Sequence, residues 1–500
     1  MHTIKYIVRP GDSLYLISRQ FNVDISEISR INNLTNSTIY VGQILEIPLE
    51  SYTVKSGDSL YSIANRLNVP IESLMIINNL EDTNLSIGQI LKIPYYTEMI
   101  VNVDMANIRL GPSTEFDVIS QMIKGAKLPV IEINDGWTKV ELYDGRQGFI
   151  KNTLGNLKVY GGEKPIVAIL GYYTLEEGAA LPSSYDSFVA NKNELTEVPL
   201  FLFRISENDP TTIEKFGDFT NQYVEEVIEI GHKSNVKMLA LIHNLLYTGG
   251  VEKAKEITSQ MLANEQTRST FIENTIELIE GYGFDGVNID IEDVDIKDSD
   301  KLTMFFEELG EALSKRGYYL SASIPSRVSD EPFNPFSDPF NYTAIGESVD
   351  EFVVMLYNEH GWPGSGPGPV VSIGWMERVL NYTMTKMPRR KIMAAVSVFG
   401  FDFNLDTGKN SYVTFESAMN LADKYNKEII FDEETKTPYF KYVDEEGNNH
   451  EVWFENAESI KAKINLANKL GIKGIALWRL GMEDESMWNM IREDVVVKRF

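Results

Sequence analysis

From Lys164 onward, eight apolar runs return at intervals: "PIVAILGYY", "VPLFLFRI", "VKMLALIHN", "FDGVNIDIE", "YYLSASIP", "EFVVMLYNEH", "KIMAAVSVFGF" and "GIKGIALWRLG". Amphipathic stretches such as "TFIENTIELIEGY" and "KLTMFFEELGEALSKRGY" separate them. Strands alternating with helices build a parallel sheet, and eight such units close into a (β/α)8 barrel of TIM type. This fold constrains everything else. Polar side chains pointing into a barrel need partners, and reactive groups collect at the carboxyl ends of its strands. A long connection before the eighth run, "KYNKEIIFDEETKTPYFKYVDEEGNNHEVWFENAESIKAKINLANKLG", holds further strand-like pieces. It is expected to form a small α/β insertion, about 403–458, beside the mouth.

The fourth run, in full "GYGFDGVNIDIEDVD", carries the chemistry. A strand alternates its side chains between two faces. Val287, Ile289 and Ile291 share one face, while Asn288, Asp290 and Glu292 share the other. On a surface strand this polar face would meet water, but in a barrel it points inward, with Glu292 at the carboxyl end.

The segment resembles the signature of glycoside hydrolase family 18, Asp-x-x-Asp-x-Asp-x-Glu. Asp285, Asp290 and Glu292 match it, and Asn288 replaces the second aspartate. The sixth run matches that family's Met-x-Tyr-Asp motif through Met355 and Tyr357, with Asn358 in place of the aspartate. The resemblance implies a retaining glycosidase without cofactor. Asp290 and Glu292 lie two residues apart on one strand, a span of about 6.6 Å, and do not easily flank a sugar from opposite sides as paired carboxylates usually do. The implied scheme has the substrate's own 2-acetamido oxygen attack while Glu292 protonates the leaving oxygen. Asp290 holds the amide N–H, and Asn288 keeps a hydrogen bond to Asp290. Tyr357 positions the acetamido oxygen. Trp478, ending the eighth run, is either the floor under the sugar or a core residue, and Tyr172 or Tyr173 borders the same subsite. In the insertion, Tyr439, Trp453 and Phe454 either line the cleft or form the insertion's own core.

The N-terminal region repeats itself. "YIVRPGDSLYLISRQFNVDISEISRINNL" returns as "YTVKSGDSLYSIANRLNVPIESLMIINNL", and "VGQILEIP" as "IGQILKIP". Each unit reads as strand, turn, two short helices and strand, with Asp12 or Ser13 (Asp58 or Ser59) placed to cap the first helix. Both copies, 1–49 and 50–96, resemble LysM modules, which bind N-acetylglucosamine polymers. The resemblance puts a glycan groove between the turns Gly11-Asp12-Ser13-Leu14 and Gly57-Asp58-Ser59-Leu60 and the loops 39–42 and 85–88; a pair of scaffolding domains is the alternative. Residues 99–157, with "NIRLGPS", "GWTKV" and "GRQGFI", resemble a bacterial SH3-like all-β domain, followed by the barrel at 164–500. Trp137 there is either a ligand platform or a barrel-rim residue.

Composition excludes other chemistries. A formal net charge of −27 argues against a nucleic-acid partner. With no cysteine there is no thiol nucleophile, thiolate metal site or disulfide. The five histidines lack metal spacing, "DVDIKDSD" lacks the pattern of a calcium loop, and "HGWPGSGPGP" reads as a rim loop. No metal is expected. No apolar run reaches membrane-spanning length, and "MHTIKYIVRPGDS" lacks the pattern of a signal peptide. Two LysM modules with this barrel, plus "YNEHGWPGSGPGPV" and "PYFKYVDEEGNNHEVWFE", resemble spore-cortex-lytic N-acetylglucosaminidases. That implies a monomeric enzyme of the spore or cell wall, acting on peptidoglycan. Chitin is the rival substrate, and a catalytically dead glycan-binding protein is the rival class, against which Glu292 and Asp290 argue.

Overall fold

The computed structural model describes residues 3–177, 181–357, 359–362 and 364–500. Eight parallel strands, Ile166–Gly171, Glu197–Ile205, Lys237–His243, Gly286–Asp290, Tyr319–Pro325, Glu351–Met355, Ile392–Ser397 and Gly474–Trp478, pair in chain order. The eighth returns to the first (Ala168 against Gly474) and the first meets the second (Leu170 against Glu197), so the barrel closes. The helix Glu265–Tyr282 shows how the fourth strand is delivered. Asn264 caps its start in a reciprocal box with Thr267, and Gly283 ends it at φ 78, the left-handed conformation that a residue with a Cβ resists. Three residues later Gly286 lies so close to the fifth strand that a Cβ would sit 2.0 Å from the Tyr319 carbonyl oxygen.

Two apolar layers result. The larger lies between strands and helices; the smaller fills the barrel and includes Ala168, Leu170, Tyr172, Phe201, Leu241, Val353, Met355 and Ala476. Register stacks the interior into levels. Leu241, Asn288, Ser321 and Glu351 share one level, and His243 and Asp290 pair one level nearer the mouth.

Between the seventh and eighth strands stands a five-stranded antiparallel sheet, Gly400–Asn404 to Asn449–Trp453, with the helix Phe415–Lys424 against it. Phe440, Tyr442, Val452 and Phe454 form its own core.

Each N-terminal repeat pairs its two strands antiparallel (Thr3–Ile7 with Ile44–Pro48, Ser51–Thr53 with Ile90–Lys92) around two helices. Ser13 and Ser59 are the caps. Asp12 and Asp58 instead accept the hydroxyls of Tyr6 and Tyr52, at 2.7 and 2.8 Å, and fasten the turn to the first strand. Leu14 and Leu60, expected on the glycan surface, open their helices with side chains buried in the core. Apolar surface appears on the neighbouring loops, where Tyr40 is 70% and Ile87 74% exposed. A seven-stranded sheet follows, from Tyr96–Val101 to Gly155–Tyr160, with Trp137 half-buried at the start of one strand.

These modules dock on the amino-terminal end of the barrel. Asn235 Oδ1 accepts the Tyr143 N–H (2.8 Å) and Lys237 Nζ donates to the Tyr143 carbonyl (2.7 Å) at the start of the third strand. Tyr143 stacks on His232 at 3.9 Å, and Lys127 pairs with Glu194 at 2.5 Å. Asn33 of the first repeat donates to the Met387 carbonyl at 2.6 Å.

Candidate active site

Asp290 ends the fourth strand and is 2% exposed; its Oδ1 meets no donor among the described residues. Burial pushes its carboxyl up to about 7. Glu292, two residues on, keeps a partly open face. Burial, then the charge of Asp290 and then that of Asp293, hold its carboxyl well above the usual range. A carboxyl shifted in this direction holds its proton to higher pH, as an acid catalyst requires.

Asn244 locks the segment in place. It accepts the Glu292 N–H at 2.9 Å, and its own amide donates to the Asp293 carbonyl (2.9 Å) and to Thr258 (2.8 Å). Beside it His243 stacks on Phe201 at 4.0 Å and 1°, while the Leu245 N–H donates to its Nδ1. Burial depresses its pKa far below the ordinary value, so the ring is neutral.

Trp478 forms an aromatic wall with Tyr172 (5.1 Å between centroids), Phe201 (5.4 Å) and Tyr357 (6.2 Å). Burial, then Tyr172, Asp290 and Glu292, keep the Tyr357 hydroxyl protonated. Tyr172 is likewise buried beside Asp290, and Met355 packs in the same interior cluster. The strand ends thus bring Glu292, Asp290, Tyr357, Tyr172 and Trp478 together at the carboxyl end of the barrel.

Other expected residues lie elsewhere. Tyr173 points out of the barrel, packs against Phe188 and bonds the Tyr223 hydroxyl, because neighbours on a strand take opposite faces. Asn288 does not bond Asp290; its amide nitrogen donates to Ser321 (2.8 Å) and its oxygen accepts from Ser323 (3.0 Å). Asp285 sits at the far end of the segment, accepting the Met238 N–H at 2.8 Å and bonding His232 at 3.0 Å. Trp453 is a packing residue. It stacks on Tyr439 at 4.5 Å, and its indole N–H donates to Glu451 at 2.7 Å. Asn358 lies outside the described residues. Glu359 accepts the Ser372 N–H at 2.8 Å, which ties down the rim loop. Among the described residues no cluster of three or more His, Cys, Asp or Glu is placed to hold a metal ion.

Sequence reasoning missed Asn244, His243, Ser321, Ser323 and Glu351. The polar pair closing "MLALIHN" and the alternate serines of "SAS" were the available signals.

The profile of the glycosyl hydrolases of family 18 matches residues 169–483, that of the LysM domain matches 6–48 and 52–94, and that of a bacterial SH3 domain matches 104–155. The uncharacterized glycosylase YvbX of Bacillus subtilis is 27% identical over 333 residues, 66% of this chain and 96% of that protein. The cortical fragment-lytic enzyme of Bacillus anthracis is 32% identical over 248 residues, 49% of this chain and 57% of that enzyme. The crystal structure of the Bacillus cereus spore cortex-lytic enzyme SleL superposes over all of both chains, at 26% identity and a TM-score of 0.61.

Proposed function

The chain belongs to the glycosyl hydrolases of family 18, and from that premise we propose that it is an N-acetylglucosaminidase of spore-cortex peptidoglycan working by substrate assistance. The observation that carries the reading is the pairing at one strand end of Glu292, whose carboxyl is held far above its usual range, with the buried Asp290, beside the Trp478 wall. Glu292 gives its proton to the glycosidic oxygen as the bond to the anomeric carbon breaks. The acetamido oxygen of the same sugar closes on that carbon, forming an oxazolinium ion. Asp290 receives the amide N–H and balances the positive charge, and the Tyr357 hydroxyl holds the acetamido oxygen in line. Glu292, now a carboxylate, takes a proton from water, which opens the ring with net retention. Asp285 and Met355 support this arrangement from outside and within the barrel, and Asn288 from the level below.

The cortex enters through two relatives, one described as a cortical fragment-lytic enzyme and the other as a spore cortex-lytic enzyme. The two LysM modules would hold the protein on an N-acetylglucosamine polymer through the exposed Tyr40 and Ile87 loops. The test is mass spectrometry of products from purified cortex peptidoglycan and from chitooligosaccharides under identical conditions, with the anomeric centre followed by NMR from the first seconds. Retained β-configuration and N-acetylglucosamine at the new reducing ends are expected. Inversion, or a covalent ester on a protein carboxylate, would refute the mechanism; cleavage of chitin alone would refute the substrate.

A further inference from the structure

A chain of hydrogen bonds crosses the barrel interior beneath the site, and with Glu351 ionised the donor at each link follows from the one below it. At its foot Lys473 Nζ donates to Glu351 Oε2 at 2.5 Å and also to Glu197. Burial, then the charge of Glu197, pushes the Glu351 carboxyl up to about 7, and in its ionised form both oxygens accept. Ser321 donates its only proton to Glu351 Oε1, at 2.9 Å. It can then only accept, which turns the Asn288 amide nitrogen toward it (2.8 Å) and leaves the amide oxygen to accept from Ser323 (3.0 Å). Ser323 has no second proton, so across the 2.7 Å contact with Tyr172 the tyrosine donates.

We infer that Glu351, acting through Ser321, Asn288 and Ser323, fixes Tyr172 as an inward donor and so withholds a hydrogen bond from the Asp290 carboxylate until the substrate's amide N–H supplies one. These are positioning residues, and the inference rests on the role proposed for Asp290. It is consistent with the Asp290 Oδ1 that meets no donor, and with a Tyr172 hydroxyl that lies within the field of Asp290. The titratable groups facing Asp290 are Glu292 on its own strand, Tyr172 from the first, His243 in register on the third and Tyr357 from the sixth. None supplies a cation, since burial keeps His243 neutral. The amide at position 288 also gains a reason. A carboxylate there has no proton to offer Ser321, so the departure from the family's aspartate completes the chain.

The test is the acid limb of the kcat/KM profile of the full-length protein on soluble glycan strands released from peptidoglycan, a limb that Asp290 governs if it must be ionised to act. Ser323→Ala removes the acceptor, freeing the Tyr172 proton for Asp290, and should move the limb down by about one pH unit or more. Glu351→Gln can donate to Ser321, which lets the chain reverse, and should move it the same way. In a Tyr172→Phe background, Ser323→Ala should move nothing. An unmoved limb in either single variant, with melting temperature preserved, overturns the inference. So does a shift that survives in the double variant. If Asp290→Asn leaves the limb of the parent in place, the assignment of Asp290 has failed instead, and with it the reading beneath.

Discussion

Replacing Asp290 by asparagine should stabilise the protein while it ruins the enzyme. The side chain is 2% exposed, and its carboxyl lies at about 7 against an ordinary 3.8. The folded state therefore binds this proton more tightly than the unfolded chain. Its contribution is fully present below pH 3.8 and is lost as pH rises through 7. At 1.36 kcal/mol per unit the loss amounts to about 4 kcal/mol, an upper bound because water entry and relaxation recover part of the cost of a buried charge. The amide introduced by Asp290→Asn is neutral at every pH and nearly the same shape, so the variant escapes that cost. The barrel transition, followed by calorimetry on full-length protein, should rise by several degrees at pH 8 and by almost nothing at pH 4. Hydrolysis should fall at both, because in the proposed mechanism Asp290 balances the charge of the oxazolinium and an amide cannot. A melting difference that is constant from pH 4 to 8, or a variant less stable at pH 8, would show that Asp290 carries no burial cost in the native state.

Glu292→Gln should lower kcat by roughly 10²–10⁴-fold with glycan affinity retained, measured by turnover and calorimetric titration on the same fragments. Asn244→Ala leaves the Glu292 N–H and the Asp293 carbonyl without the bonds now made at 2.9 Å; about 2–4 kcal/mol of stability should go, with kcat down roughly 10-fold or more and KM nearly unchanged. Tyr40→Ala combined with Ile87→Ala should reduce co-sedimentation with insoluble peptidoglycan while leaving cleavage of soluble fragments as it was; equal pelleting would remove those loops from the binding surface.

How far the site could be read depended on whether polarity marked a face. In the fourth strand, Asn288, Asp290 and Glu292 alternate with aliphatic residues, so the inward face was visible at once. In the first strand both faces are apolar, one against helices and the other inside the barrel, and nothing in "AILGYY" tells Tyr172 from Tyr173. The closed barrel decides it: Ala168, Leu170 and Tyr172 lie inside. The hydrogen bonds of Asn288 were invisible for a different reason. Its partners Ser321 and Ser323 are more than thirty residues away, and only the register of the fourth and fifth strands brings them together. Local grammar misled at "GDSL", where the motif's conspicuous leucine is a core residue and the aspartate is spent on holding its own turn. Trp453 shows the same limit, since a buried indole bonded to Glu451 and an exposed sugar platform are spelled alike.

The third strand enters at Lys237, held by the Tyr143 carbonyl, and leaves at His243 and Asn244 beside the two carboxyls. The appended modules and the cleft therefore sit at opposite ends of the barrel, separated by roughly 20 Å of strand. A polymer gripped by the modules is not threaded directly toward Glu292. If the modules bind glycan as proposed, the protein is moored by its back and faces away from its mooring, so the glycan it holds and the glycan it cuts would be different strands, or distant stretches of one. Mooring of this kind favours scattered cuts among neighbours over progress along a single strand. Intermediate lengths should accumulate early in a digest of insoluble glycan, and detachment should set how far the damage spreads.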